Sequence, residues 1–162
     1  MDTQAMQNDT QPQPRDTRHS LPMALLRARE AVMSRFRPLL AEHDINEQQW
    51  RVVRVLAEVD QLDATEVAAR ANILAPSLTR MIRAMTDRGL IARAKDATDG
   101  RRVLLSIAPK GRELLVKASP DSAAIYRQLE ADYGAERLGQ LIEMLIDLTE
   151  LGVDAAPPPE QD

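Results

Sequence analysis

The side chains best suited to chemistry lie along one predicted helix, which begins at Pro76 and ends at Gly89. Its apolar residues gather on one face, and two arginines, Arg80 and Arg83, lie on the opposite face with hydroxyl residues beside them. Arginine donates two hydrogen bonds to guanine O6 and N7, and serine or threonine bonds to bases or phosphates. This pattern is typical of a DNA-reading helix, although a solvated amphipathic helix without a ligand shows it too.

A second basic segment follows in the turn of a predicted β-hairpin. A hairpin tip close to the DNA backbone can place one arginine, Arg101, in the minor groove, where the narrow groove concentrates negative potential. Asp99, two residues earlier, is well placed to hold that guanidinium. An ordinary exposed turn is the alternative. The predicted DNA contacts are Pro76, Ser77, Thr79, Arg80, Arg83, Asp99, Arg101 and Arg102.

The charge of the chain is unevenly distributed. The net charge of −4 on 162 residues argues by itself against a nucleic-acid partner. Residues 64–112, however, hold ten basic and four acidic side chains, a net charge of +6. Residues 1–63 carry −2 and residues 113–162 carry −8. The positive charge is therefore concentrated on the segment predicted to read DNA.

Arginine and aromatic residues in the first two predicted helices form a second candidate site. Arg29 lies on the apolar side of its helix, where a charge must be paired. Trp50 and Arg54 are four residues apart and share a helix face. Because arginine binds carboxylates and aromatic rings stack on one another, Arg29, Phe36, His43, Trp50 and Arg54 are a candidate pocket for a small aromatic acid. The alternative is an ion pair of Arg29 at a dimer interface, with Trp50 in the core.

Other chemistries find little support. The chain has no cysteine, which excludes disulfides, thiolate metal sites, cysteine catalysis and thiol redox sensing. His19 and His43 are the two histidines, and no metal-ligand cluster, nucleophile elbow or phosphate-binding glycine loop is evident. We therefore expect no enzyme, cofactor or metal. The absence of a signal peptide and of a long apolar run predicts a cytoplasmic protein with no membrane partner.

These residues are positioned by a predicted order of four helices, a two-stranded hairpin and two more helices. A short helix, a turn, an amphipathic helix and a hairpin in this order form a winged helix-turn-helix, here over residues 60–112. The expected fold class is mainly α, with dimerisation helices at 21–42 and 110–151 and a two-stranded β-wing. Residues 1–20 and 152–162 are polar or proline-rich, and we expect them to be disordered tails.

The last predicted helix carries a wider apolar stripe than one neighbour in a small domain requires. We predict that it forms a twofold dimer together with the first helix. The two winged helix-turn-helix segments of such a dimer, residues 60–112 of each chain and called the reading heads below, then face a palindromic DNA site. A last helix buried within its own domain is the alternative. The predicted interface residues are Leu21, Leu25, Leu138, Leu141, Leu145 and Leu148.

The order of elements and two segments, Leu78–Arg93 and Asp99–Gly111, resemble the MarR family of regulators. The second segment contains the Asp-x-Arg wing and the Lys-Gly helix start, although Ile107-Ala108 stands where the family commonly has Leu-Thr. The resemblance covers residues 21–151. It implies an obligate triangular dimer that binds DNA through the fourth helix and the wing. It also implies release from DNA by a small ligand or by cysteine oxidation. Because this chain has no cysteine, release by a ligand is the route that remains.

A narrower resemblance, to family members that control hydroxyphenylacetate and homoprotocatechuate degradation, rests on segments mostly outside the reading helix. They are Ala24–Ala31, Phe36–Pro38, Glu47–Arg51 and Pro76–Thr79. This resemblance implies a homodimeric repressor of aromatic-acid catabolic genes, released by a hydroxyphenylacetate-type acid. Two other classes stay open: a ligand-blind architectural winged-helix protein, and a helical protein-interaction module that never binds DNA.

Overall fold

The computed structural model describes residues 16–99 and 102–151. Within them the chain forms six helices and three strands, and the predicted fold class, mainly α with a winged helix-turn-helix, is confirmed. The elements are α1 (Leu21–Glu42), α2 (Glu47–Ala57), β1 (Leu62–Asp63), α3 (Ala64–Arg70), α4 (Ala75–Asp87), β2 (Ile91–Lys95), β3 (Val103–Ile107), α5 (Pro109–Tyr133) and α6 (Ala135–Glu150).

The chain divides into two compact units, Met1–Arg35 and Phe36–Asp162. The described part of the first unit holds the early turns of α1. Several of its apolar side chains face outward, and Leu21 and Leu26 are more than half exposed. Apolar surface of this kind on one chain is typical of a face that a partner covers.

The second unit is built around a small antiparallel sheet with the strand order β1-β3-β2. Leu62 pairs with Leu105, and Ile91 pairs with Ile107. The sequence predicted two of these strands and missed β1, because a strand of two residues has too few positions to show an alternating pattern. The core beneath the sheet contains fully buried side chains from α2, α3, α4 and the strands: Val52, Val53, Leu56, Val67, Leu78, Met85, Ile91 and Leu105.

Local hydrogen bonds fix where two of the helices begin. The side chain of Asn46 accepts the N–H of Gln49 at 2.9 Å, and the Gln49 side chain accepts the N–H of Asn46 at 3.2 Å. Asp63 and Glu66 make the same reciprocal pair at the start of α3. Each pair satisfies two of the backbone donors that a helix start leaves open. Asparagine is a favoured N-cap residue, and Asp63 followed by Glu66 has the spacing of a capping box, so the sequence predicts both helix starts and the structure confirms them.

Pro120 predicts a break or bend in the fifth helix, because proline removes one backbone donor and crowds the preceding turn. The structure shows no break: α5 runs continuously through Pro120 to Tyr133. Buried residues on both sides of the proline, Leu114 and Ala118 before it and Leu129 after it, hold the two halves against the rest of the second unit. Tertiary packing therefore outweighs the local preference of the proline.

The start of α5 lies unusually close to the backbone that follows α4. The N–H of Ala108 donates to the carbonyl oxygen of Leu90 at 3.1 Å. A Cβ atom on Gly111, one turn later, would lie 2.2 Å from the same oxygen and 3.0 Å from Cγ1 of Ile107. Only glycine permits this approach, so Gly111 sets how the long helix leaves the winged helix-turn-helix.

Replacing Gly111 by alanine should lower the free energy of unfolding by about 1–3 kcal/mol, because the backbone at Leu90 must move. Urea denaturation at fixed protein concentration measures the change. The matched control is Gly139→Ala in α6, where a Cβ meets nothing within 4 Å. That variant should gain roughly 0.5–1 kcal/mol from the lower helix cost of alanine. Equal stability of Gly111→Ala and the parent chain would contradict the close approach.

Candidate functional site

Helix α4 has the two faces that the sequence predicts. Leu78 and Met85 are buried against the core, whereas Arg80 and Arg83 are exposed. The Nε atom of Arg83 lies 4.0 Å from Oδ2 of Asp87, and both side chains are largely exposed to solvent. An exposed pair at this separation is weak. The face thus presents two guanidinium groups that can exchange solvent for DNA at little cost.

The hydroxyl groups beside these arginines are less open than the sequence suggests. Oγ1 of Thr79 donates its hydrogen to the carbonyl oxygen of Ala75 at 3.0 Å, and Ser77 is half-buried. Pro76 is exposed in the first turn of α4. While its hydrogen is used inside the helix, Thr79 has only lone pairs to offer a ligand. In that state the hydroxyl can accept a hydrogen bond but cannot donate one to a phosphate.

The hairpin turn is held by short-range hydrogen bonds. The N–H of Arg102 donates to the carbonyl oxygen of Asp99 at 2.9 Å, and the N–H of Asp96 donates to the carbonyl oxygen of Arg102 at 3.1 Å. The carboxylate of Asp96 accepts the N–H and the hydroxyl of Thr98, and these bonds lower the pKa of Asp96. The predicted minor-groove residue, Arg101, lies outside the described residues.

The guanidinium of Arg102, predicted as a DNA contact, lies against the protein. Its Nη2 atom donates to Oδ2 of Asp63, the residue that caps α3. The N–H of Glu66 and the guanidinium of Arg102 both stabilise the carboxylate, so the pKa of Asp63 is lowered. The same pair raises the pKa of Arg102. The sequence did not predict this contact.

Strand β2 adds two cations that the sequence analysis counted without assigning a role. Arg93 and Lys95 are both exposed and are two residues apart on the strand, so they point to the same face. The strand pattern itself could have placed them there. They extend the positive charge of the reading segment onto the hairpin.

A cavity of about 350 Å³ lies between α2 and α5. Trp50 and Arg54 line it from α2, Glu58 lines it just beyond the end of that helix, and Leu115, Val116 and Ser119 line it from α5. Its size is at the lower end of the range for small-molecule sites. Trp50 can stack on a ligand ring and Arg54 can pair with an acidic group, while the carboxylate of Glu58 in the same cleft disfavours an acid placed on its side.

The structure brings together only part of the predicted aromatic-acid pocket. Trp50 and Arg54 line the cavity, whereas Phe36 is buried with its ring edge-on to Tyr126, the centroids 5.5 Å apart. His43 is half-buried just beyond the end of α1, and Arg29 is exposed on α1 in the first unit.

The α5 wall of this cavity and the Tyr126 ring were not predicted from the sequence. Both depend on contacts between residues far apart in the chain. The one available signal for Tyr126 was its type, since it is one of only four aromatic residues.

Helix α6 is largely uncovered by the described part of the chain. None of its residues is buried, and the apolar side chains of Ile142, Met144, Leu145 and Ile146 are exposed. Leu138, Leu141 and Leu148 are half-buried. The alternative of a last helix buried within its own domain is therefore wrong for this chain.

Comparison with known proteins decides the family. A model of the MarR family matches residues 43–102. The homoprotocatechuate degradative operon repressor of Escherichia coli is 44% identical over 133 residues, which cover 82% of this chain and 90% of the relative. The chain belongs to the MarR family. The resemblance drawn from the α4, wing and α5 segments is thus confirmed.

Two solved structures of similar proteins carry ligands that bear on the site. NadR in complex with 4-hydroxyphenylacetate is 36% identical with a TM-score of 0.73, and the match covers 84% of this chain and 97% of NadR. The repressor CouR bound to a 23-mer DNA duplex is 26% identical with a TM-score of 0.76, over 86% of this chain and 99% of CouR. The first of these two similar proteins thus binds an aromatic acid, and the second binds DNA.

Within residues 16–99 and 102–151, no helix has the length and apolar character needed to cross a membrane. The same part of the chain holds no group of three or more metal-ligating side chains.

Proposed function

We propose that this MarR-family protein is a homodimeric, cytoplasmic repressor of genes for the degradation of hydroxyphenylacetate-type aromatic acids, and that such an acid releases it from DNA. The observation that carries the proposal is the presence, in one chain, of a two-arginine face on α4 and a cavity lined by Trp50 and Arg54. The names of its relatives, a degradative operon repressor, a 4-hydroxyphenylacetate complex and a DNA complex, support both halves.

In the DNA-bound state, α4 enters the major groove of each half-site of a palindromic operator. Arg80 and Arg83 contact base edges or phosphates, and Pro76, Ser77 and Thr79 pack against the groove wall. Arg101 enters the minor groove from the wing, with Asp99 beside it. The exposure of both α4 arginines and of the cations on β2 supports this assignment.

A twofold dimer presents the two reading heads. The first turns of α1 and the outer face of α6 form its interface, because both expose apolar surface that water would otherwise contact. The proposed interface residues are Leu21, Leu25, Leu138, Leu141, Leu145 and Leu148.

The effector enters the cavity between α2 and α5. Its ring stacks on Trp50 and its carboxylate pairs with Arg54, and we keep Phe36 and His43 as proposed residues of the same unit that influence the pocket. Phe36 would act through its ring contact with Tyr126 on α5. Because α2 packs against the reading head and α5 leads away from it, an acid bound between them favours one head position over others. Release follows if that position does not match the operator, which is a shift of population between states of the dimer.

Replacing Arg80 by alanine should weaken binding to the protein's own promoter by about 1–3 kcal/mol, with a smaller effect on unrelated DNA. Arg101→Ala should weaken both and reduce the salt slope of binding by about one. Fluorescence anisotropy at several salt concentrations measures both quantities. Arg127→Ala, which removes an exposed charge from α5, is the control and should bind as the parent does. Parent protein that binds no DNA at all would favour the interaction-module alternative.

The single tryptophan of the chain is Trp50, so its fluorescence reports events in the cavity directly. Adding 4-hydroxyphenylacetate should change the emission and release promoter DNA. Arg54→Gln should weaken binding of the acid by about tenfold or more, since a charged hydrogen bond is lost.

The neutral amide of the same acid is the control, because the parent and Arg54→Gln should bind it equally. Arg29→Ala should abolish release without changing DNA affinity. If release persists in that variant, Arg29 is structural. A parent protein whose fluorescence and DNA binding ignore aromatic acids would be a ligand-blind architectural protein.

Leu145→Glu should convert the dimer to monomer, because a carboxylate in an apolar interface must be desolvated without a partner. Sedimentation velocity at micromolar concentration measures the state. Gln140→Glu adds the same charge to the opposite side of α6 and should leave a dimer. Dimeric Leu145→Glu would exclude this face of α6 from the interface.

A further inference from the structure

An ion pair joins the end of the hairpin turn to the beginning of the helix-turn-helix. Nη2 of Arg102 donates to Oδ2 of Asp63, although the two residues are 39 positions apart in sequence. The Asp63 side chain is 17% exposed and that of Arg102 is 51% exposed, so the pair is partly shielded from solvent. Salt screens a partly shielded pair less than a fully exposed one.

The two oxygens of Asp63 have separate partners. Oδ1 accepts the N–H of Glu66 at 2.9 Å and caps α3, while Oδ2 accepts the guanidinium of Arg102. In return, Oε2 of Glu66 accepts the N–H of Asp63 at 3.3 Å. One carboxylate therefore fixes the first turn of α3 and the point where the chain leaves the hairpin turn.

The backbone of Arg102 is held as firmly as its side chain. Its N–H donates to Asp99 and its carbonyl oxygen accepts from Asp96, which closes the turn. Strand β3 begins at the next residue, and its Leu104 pairs with Asp63 in the sheet. The backbone and side chain of Arg102 are thus both engaged in joining the wing to the rest of the reading head.

We infer that Arg102 is a positioning residue, which fixes the wing relative to α3, and that it is not a direct DNA contact. The inference rests on the proposed DNA-binding function and deepens it. The neighbouring arginines of the turn have different tasks: Arg101 supplies charge to the minor groove, and Arg102 holds the strand that carries it. Because Asp63 neutralises its charge, Arg102 adds little to the positive electrostatic potential that attracts DNA phosphates.

The substitution Asp63→Asn separates positioning from charge. Asparagine caps a helix as well as aspartate does, so α3 keeps its start while the ion pair is lost. Removing a negative charge from the reading head would, by electrostatics alone, strengthen DNA binding. Positioning predicts the opposite, a loss of roughly two- to fivefold in promoter affinity. Asp60→Asn is the control, because it removes an exposed carboxylate three residues earlier and should not weaken binding.

Arg102→Ala should lower promoter affinity without changing the salt slope, whereas loss of a phosphate contact reduces that slope by about one. The double variant Asp63→Asn with Arg102→Ala should bind no more weakly than Arg102→Ala alone, because each substitution breaks the same pair. A reduced slope in Arg102→Ala, or stronger binding by Asp63→Asn, would overturn the inference.

A measurement without DNA keeps this result separate from the proposed function. Amide hydrogen exchange of Asp96 and Arg102 should become faster in both single variants, by a similar factor, and unchanged in Asp60→Asn. Unaltered exchange in both single variants would show that the Arg102–Asp63 pair does not hold the wing in place, even if DNA binding is normal. Faster exchange in a protein that binds no promoter DNA would support the positioning role of Arg102 and would count only against the proposed function.

Discussion

The hydrogen bond from Ala108 to the carbonyl oxygen of Leu90 fixes the start of α5 against the turn that follows α4. It is possible because Gly111 has no side chain, and the carbonyl would otherwise collide with a Cβ. Leu90 lies between α4 and β2, and Ala108 lies between β3 and α5. The exposed arginines of α4 and the cavity wall on α5 are therefore tied to one another through a few backbone atoms.

Positive and negative charge lie in different segments of the chain. The arginines of α4 and the cations of β2 are exposed on a segment with a net charge of +6, while residues 113–162 carry −8. DNA is attracted to the first region and repelled by the second. An acidic protein can in this way bind DNA in one orientation and avoid coating it non-specifically.

The fold was predictable where the signals were local. Asn46 and Asp63 each accept a hydrogen bond from the residue three positions later, so the helix starts depend on short sequence spacings. The spacing of Trp50 and Arg54 likewise puts both on one face of α2. What sequence could not supply involves partners distant in the chain. Strand β1 exists because Leu62 meets Leu105, Pro120 is tolerated because of packing on both sides, and the partner of Arg102 is 39 residues away.

The length of α5 makes it a lever whose pivot is the glycine contact near its start. Ser119, in the cavity, is about 12 Å from Gly111 along the helix, and Tyr133 is about 33 Å away, at 1.5 Å per residue. A displacement of about 1 Å at Ser119 moves the far end by about 3 Å if the helix stays rigid. A small shift at the wall of the cavity is therefore amplified along α5.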